Sequence, residues 1–289
     1  MKLKLGLPKG SLQEATFSLF ERAGYSFKVS SRSYQPIVDD ETLEPILLRP
    51  QEIPLYVQNG VIDAGLTGKD WIEDAGANVH EVCELRYSKL TNNPIQIVLA
   101  VHKDSGIESV QQLAGKRIAT EYVRLATRYF ADNNVHAHIE FSWGADEVKV
   151  PELVDAIVVN TETGNSLRAH NLVIIDRLLT STTRFIASPA AWMDDWKRER
   201  IQSLEILLTG AMNAAKLVGL KMNMPREQQA EILSLLPALQ NPTLSPLADD
   251  RWIAAEVILS EKEVRDLIPR LKRAGATGLV EYPLNKVIY

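Results

Sequence analysis

A chain of 289 residues with 45% hydrophobic and 24% charged residues is expected to fold as a globular protein of two or three compact units. Its net charge of −5 and pI near 5.7 exclude a basic scaffold for nucleic acid, but not anionic substrates, which respond to local charge. A single cysteine, Cys83, excludes an intramolecular disulfide and points to a reducing cytoplasm, and no stretch reads as a signal peptide or membrane span.

In chain order, residues 3–7 form an apolar strand that empties into Pro8-Lys9-Gly10-Ser11. Leu12, Ala15, Leu19, Phe20 and Ala23 then recur at helical spacing until Gly24, which predicts a helix over 11–23. Strands are expected near 45–49 and 61–67, and helices near 50–59 and 69–75. Such alternation predicts a parallel sheet covered by helices. Residues 88–94 are a polar, Pro-ended connector. Beyond it, strands near 95–102, 117–120, 137–141 and 156–159, with helices near 108–113 and 124–132, predict a second α/β region.

Residues 153–159 read as a short helix running into a buried strand, and the hydrophobic run stops at Asn160. Thr161-Glu162-Thr163-Gly164-Asn165-Ser166 follows before Leu167-Arg168-Ala169 resumes a helical pattern. A strand that empties into such a turn at a helix start aims several backbone N–H groups at one spot, which suits a phosphate. Gly164 lets the backbone come close, and the hydroxyls of Thr161, Thr163 and Ser166 add uncharged donors. An ordinary polar strand-to-helix turn is the plainer alternative.

After Thr180-Ser-Thr-Thr183 the chain is expected to return to the first region through 184–187 and to enter a helix over 189–208. The remainder changes rhythm. Residues 215–224, 243–247, 252–259 and 278–282 read as strands, and 225–235 and 260–274 as helices. Pro225 suits a helix start, Ser260 with Glu263 forms a capping box, and Gly275 marks a helix end. This βαββαβ order is that of a ferredoxin-like unit.

Five stretches then fall into one pattern: GLPKGSL around Lys9, LLRPQEIP holding Arg49, GVIDAGLTGKDW, KRIATEY and DAIVVNTETGNSL. Together, in this order over the whole chain, they resemble the ATP phosphoribosyltransferase family, which performs the first step of histidine biosynthesis. The resemblance implies the family's long form. Its fold would be two α/β lobes crossed twice by the chain, like type II periplasmic binding proteins, with lobe I over 1–90 and 181–210 and lobe II over 91–180. An ACT-like, ferredoxin-like domain would occupy 211–289, and in the family it binds histidine as a feedback inhibitor; an oligomerisation domain is the plainer reading.

The implied reaction joins N1 of the adenine of ATP to C1 of phosphoribosyl pyrophosphate and releases pyrophosphate. Adenine N1 carries a free lone pair, so positioning and electrostatics, with Mg²⁺ on the pyrophosphate, would do most of the catalysis. The resemblance assigns Thr161, Glu162, Thr163, Gly164, Asn165, Ser166 and Leu167 to the 5′-phosphate cradle, with Asp155 or Glu162 on the ribose or magnesium because Val159 stands where the family commonly has an acid. Lys9 and Arg49 are the expected catalytic cations. Gly10, Ser11, Arg32, Gly68, Asp70, Glu121 and Tyr122 are expected at ATP or pyrophosphate, although Tyr122 also suits a core. Leu239, Asn241 and Thr243 are expected at histidine, in a homo-oligomer built from dimers and hexameric when inhibited. No metal is expected to be held mainly by protein: His80, His102, His136, His138 and His170 lack metal-ligand spacing.

Two rival classes fit less well. A ligand-binding protein or regulator of similar shape would need an export signal or a DNA-binding helix-turn-helix, and neither is expected ahead of Leu3. A porphobilinogen deaminase would need its cofactor-bearing cysteine in the third domain, whereas Cys83 lies in the first.

Overall fold

The computed structural model describes residues 1–29, 33–87, 93–237 and 241–289; Arg32, Leu239 and most of the connector 88–94 lie outside them. The chain divides into two compact units, 1–205 and 206–289.

The first unit opens with β1 (Leu3–Pro8) and α1 (Gln13–Ala23), followed by a short hairpin of β2 (Phe27–Lys28) and β3 (Ile37–Val38). Then come β4 (Leu43–Leu48), α2 (Ile53–Gln58), β5 (Ala64–Gly68), α3 (Lys69–Ala75) and β6 (His80–Leu85). The middle of the chain holds β7 (Ile95–His102), β8 (Arg117–Thr120), α4 (Val123–Asp132), β9 (His138–Phe141), β10 (Ala156–Thr161), α5 (Asn165–Ala169) and β11 (Leu172–Ser181). β12 (Thr183–Ala187), α6 (Pro189–Met193) and α7 (Asp195–Ala214) complete this part.

Two five-stranded sheets result, ordered β4-β1-β5-β12-β6 and β11-β7-β10-β8-β9. In each, the strand that follows a crossing enters antiparallel between its neighbours: β12 between β5 and β6, and β7 between β10 and β11. The first sheet is therefore mixed, not the parallel sheet expected, although β4, β1 and β5 run parallel. The apolar strands hold because their side chains leave water entirely. Leu3, Leu5 and Leu7 of β1 are fully buried, and each contributes about 1.5–3 kcal/mol relative to an exposed position.

Other departures have local causes. The long strand β11 was not expected, because Asp176-Arg177 interrupts its apolar run and two register shifts break its alternation against β7. β6 alternates polar residues and buries fully only Leu85. The helix expected over 189–208 is two helices, broken at Asp194, which is extended.

The second unit contains β13 (Leu217–Pro225), α8 (Gln229–Leu235), β14 (Thr243–Pro246), β15 (Trp252–Ser260), α9 (Glu261–Arg273) and β16 (Thr277–Pro283). Its sheet has the order β14-β15-β13-β16, antiparallel throughout, which is the ferredoxin-like arrangement. β15 buries every second residue, and its Ile253, Ala255, Val257 and Leu259 pack with Leu220, Met222 and Met224 of β13 and Val264, Leu267 and Leu271 of α9. The capping box is present: Ser260 Oγ accepts the Glu263 N–H while the Glu263 carboxylate accepts the Ser260 N–H, each at 3.2 Å. The boundary between the units falls inside α7, ahead of the expected start at 211. Among the described residues no helix is long and apolar enough to cross a membrane.

Candidate active site

A cleft of about 720 Å³ lies in the first unit, where the carboxyl ends of parallel strands from both sheets meet. From the first sheet come Lys9–Leu12 after β1, Arg49–Gln51 after β4, and Gly68, Asp70 and Trp71 after β5. Glu121 follows β8, and Asn160 and Thr161 end β10 before Glu162, Thr163, Asn165 and Ser166. Arg86, Tyr87 and Ser181–Thr183 come from the two crossings. The expected residues Lys9, Gly10, Ser11, Arg49, Gly68, Asp70, Glu121, Thr161, Glu162, Thr163, Asn165 and Ser166 are thus brought together on one surface.

The turn after β10 is held from within. Gly164 has φ +72°, a left-handed conformation that glycine adopts without strain, and its N–H donates to Thr161 Oγ1 at 2.9 Å. Arg168 folds back from α5, donating to the Thr163 carbonyl at 3.0 Å and to Asn165 Oδ1. Asn165, Ser166 and Leu167 form the first turn of α5, whose N–H groups have no partner within the helix. The Ser166 hydroxyl donates to Glu147 Oε1 at 2.7 Å, so a carboxylate sits against the turn. Burial, with Asp146 adding repulsion, raises the Glu121 carboxyl above its usual range, against the pull of Lys149.

On the opposite side, the Lys9 backbone N–H donates to the Leu48 carbonyl at 2.7 Å, tying the ends of β1 and β4 together. Its ammonium lies 3.6 Å from the centroid of the Tyr34 ring. The Thr67 hydroxyl donates to the Pro50 carbonyl at 2.8 Å and fixes the turn that carries Arg49.

Beneath the cleft lies a buried polar group. Asp70 is 2% exposed; its Oδ1 accepts from Ser181 at 2.7 Å and its Oδ2 from the Tyr122 hydroxyl at 2.9 Å. Burial pushes the Asp70 carboxyl up, and those hydrogen bonds oppose the rise. Burial and the neighbouring Asp70 lift the Tyr122 phenol well above its usual range. A Cβ on Gly68 would collide with Asp70 Oδ1, so this glycine makes room for a carboxylate of the protein itself.

Four of the expected residues are placed outside the lining of the cleft. Asp155 precedes β10, at the end of the strand away from the turn, where it accepts from the Arg117 N–H at 2.9 Å and pairs with Lys116 at 3.1 Å. Leu167 is 2% exposed, and its side chain packs with Val150, Val154 and Val159. Tyr122 is also 2% exposed and stacks on Trp71 with ring centroids 4.4 Å apart, forming the floor of the cleft and not its lining. Gly164 does not line the cleft; its N–H is engaged by Thr161, and a Cβ there would lie 3.0 Å from Arg168 Nη1. Conversely, Glu147, Asn160, Arg86 and Ser181–Thr183 line the cleft without having been expected. The hydroxyl run 180–183 at a crossing and Asn160, where the apolar run stops, were the available signals; nothing local marks Glu147. Asn241 and Thr243 are exposed in the second unit, Thr243 on the edge strand β14.

The ATP phosphoribosyltransferase family model matches residues 49–210, and the model for the C-terminal domain of HisG matches 214–286. The chain is 57% identical over 288 residues to ATP phosphoribosyltransferases of Pelotomaculum thermopropionicum and Desulforudis audaxviator, each alignment covering 100% of both chains. It also resembles a chain of the ATP phosphoribosyl transferase (HisG:HisZ) complex from Thermotoga maritima, with a TM-score of 0.63 and 28% identity over 73% of this chain and 98% of that one. The matching family models and the end-to-end relatives place the chain in the ATP phosphoribosyltransferase family.

Proposed function

We propose that the cleft condenses ATP with phosphoribosyl pyrophosphate as the first step of histidine biosynthesis, with the 5′-phosphate in the turn 161–166 and the leaving pyrophosphate toward Lys9 and Arg49. The observation that carries this reading is the convergence of an uncharged donor turn and two cation-bearing turns on one cleft. As the bond to C1 breaks, positive charge grows on the ribose and negative charge on the pyrophosphate. Lys9 and Arg49 gain interaction energy with the second, while the turn holds the 5′ end still. Adenine N1 needs no base, so the raised Glu121 carboxyl is suited to bordering the base as a polar wall.

A substrate-borne magnesium fits these residues. Asp70 has both carboxylate oxygens engaged, by Ser181 and by Tyr122. Glu147 and Glu162 line the cleft beside the turn and would reach a cation held at the ribose, next to the bond that breaks. Bound there, the ion would offset charge on the leaving group. The direct test is to mix the protein with ATP, phosphoribosyl pyrophosphate and Mg²⁺ and follow the N1-ribosylated adenine chromophore. Folded protein that releases no pyrophosphate overturns the reading.

The second unit supports a regulatory role: a separate ferredoxin-like domain appended to a cleft that already contains its own cations and phosphate turn. We assign it the binding of histidine near Asn241 and Thr243, in a cytoplasmic homo-oligomer of dimers that becomes hexameric when inhibited. Histidine must then favour one global state, and by linkage the substrates must alter its affinity. Deleting the chain from about Ala211 should abolish inhibition by histidine; equal inhibition of both forms would place the site in the first unit.

A further inference from the structure

The buried group under the cleft fixes the direction of every proton in it. Ser181 Oγ accepts the Asp70 N–H at 3.0 Å, so its one proton goes to Asp70 Oδ1 at 2.7 Å. The Tyr122 oxygen lies 2.9 Å from Asp70 Oδ2 and 2.9 Å from Asn160 Nδ2. An amide nitrogen only donates, so Tyr122 accepts from Asn160 and donates to Asp70. Asn160 cannot turn its amide over without placing Oδ1 against a hydroxyl oxygen whose proton is already committed. Packing holds the arrangement, since Asp70, Tyr122 and Ser181 are at most 2% exposed and Tyr122 stacks on Trp71.

Asn160 is exposed and lines the cleft one residue before the phosphate turn, and the hydrogen bonds of this network leave its Oδ1, a neutral acceptor, unused. Val159 beside it is buried in an apolar cluster and offers nothing polar there. A neutral acceptor suits a hydroxyl donor and not a phosphate. We propose that Asn160 Oδ1 accepts a hydrogen bond from a secondary hydroxyl of the pentose, with Asp70, Tyr122 and Ser181 as positioning residues that orient its amide. This rests on the proposed seating of the 5′-phosphate in the turn 161–166.

The test is calorimetric titration of the full chain with ribose 5-phosphate and its 2-deoxy and 3-deoxy analogues. The unaltered protein should bind one deoxy analogue about tenfold more weakly than ribose 5-phosphate, the loss of one hydrogen bond. Asn160→Ala should weaken ribose 5-phosphate by about the same tenfold factor and erase the difference, leaving that analogue unchanged. Tyr122→Phe keeps the ring stack but frees the amide, so it should shrink the discrimination; a purely structural role for Tyr122 would weaken all three sugars alike. The inference is overturned if the unaltered protein binds all three sugars equally, or if Asn160→Ala keeps the full discrimination. Failure of the cradle itself would show separately, as unchanged affinity for all three sugars in Gly164→Val.

Discussion

The turn after β10 and the turns after β1 and β4 occupy equivalent places at strand ends, yet they are built from opposite materials. The first uses glycine, hydroxyls and a helix start, and its nearby charges are engaged: Arg168 on the Thr163 carbonyl, Glu147 on Ser166. The others bring Lys9 and Arg49 to the cleft, Lys9 resting on the face of Tyr34. On the proposed reading, uncharged, preformed donors would hold a phosphate whose charge does not change during reaction. Cations are useful where charge is growing, because their interaction strengthens in the transition state. The proposed assignment thus gives binding to one side and rate to the other.

Lys9→Ala should break this division most severely. Losing one cation at a developing charge costs on the order of 2–4 kcal/mol, so kcat should fall by roughly 30- to 900-fold with little change in KM for phosphoribosyl pyrophosphate. A rise in KM at constant kcat would make Lys9 a ground-state anchor.

Gly164→Val acts on the other side. A β-branched residue at φ +72° costs about 1–2 kcal/mol or more, and relieving that strain moves the turn. Affinity for phosphoribosyl pyrophosphate should fall at least about tenfold by calorimetry, and unchanged affinity would refute the cradle.

Gly68→Ala sharpens the comparison by testing a glycine that serves the protein instead of the substrate. Its methyl would meet Asp70 Oδ1, and overpacking of this kind costs about 1–3 kcal/mol in chemical denaturation. Removing the carboxylate as well, with Asp70→Ala, should make the pair strongly non-additive; additive losses would mean that the two do not meet.

The smallest effect belongs to Asp155. Burial pushes its carboxyl up, but the Arg117 N–H and the Lys116 ammonium outweigh this and hold it below its ordinary value. A carboxyl depressed in the folded state contributes stability above its unfolded pKa, near 3.9, and loses it as pH falls through the folded value. Asp155→Asn should therefore lower Tm at pH 7, with the gap from the parent closing below about pH 4, while kcat is unchanged. A gap independent of pH would remove the ion pair from the account.

How much of this was legible in the sequence depended on whether a residue's role was local. Lys9, Arg49 and the polar turn at 161–166 each follow an apolar strand, and position at a strand end is readable from the hydrophobic pattern. The capping box at Ser260 and Glu263 is readable for the same reason. Asp155 is near the turn in sequence but not in space, because a six-residue strand, about 20 Å long, separates the two. Glu147, Asn160 and Ser181 reach the cleft from three elements that only the sheet order brings together, so no window of sequence contains them. Gly68 was legible as a glycine that something needs, but not that the something is Asp70.

The division between the two sides is tested most directly by single-turnover release of pyrophosphate, measured against phosphoribosyl pyrophosphate concentration in Lys9→Ala and Gly164→Val side by side. Lys9→Ala should lower the plateau rate and keep the half-saturating concentration, whereas Gly164→Val should raise the half-saturating concentration and keep the plateau. If both variants move the same parameter, the cleft does not separate grip from charge stabilisation and the account is wrong.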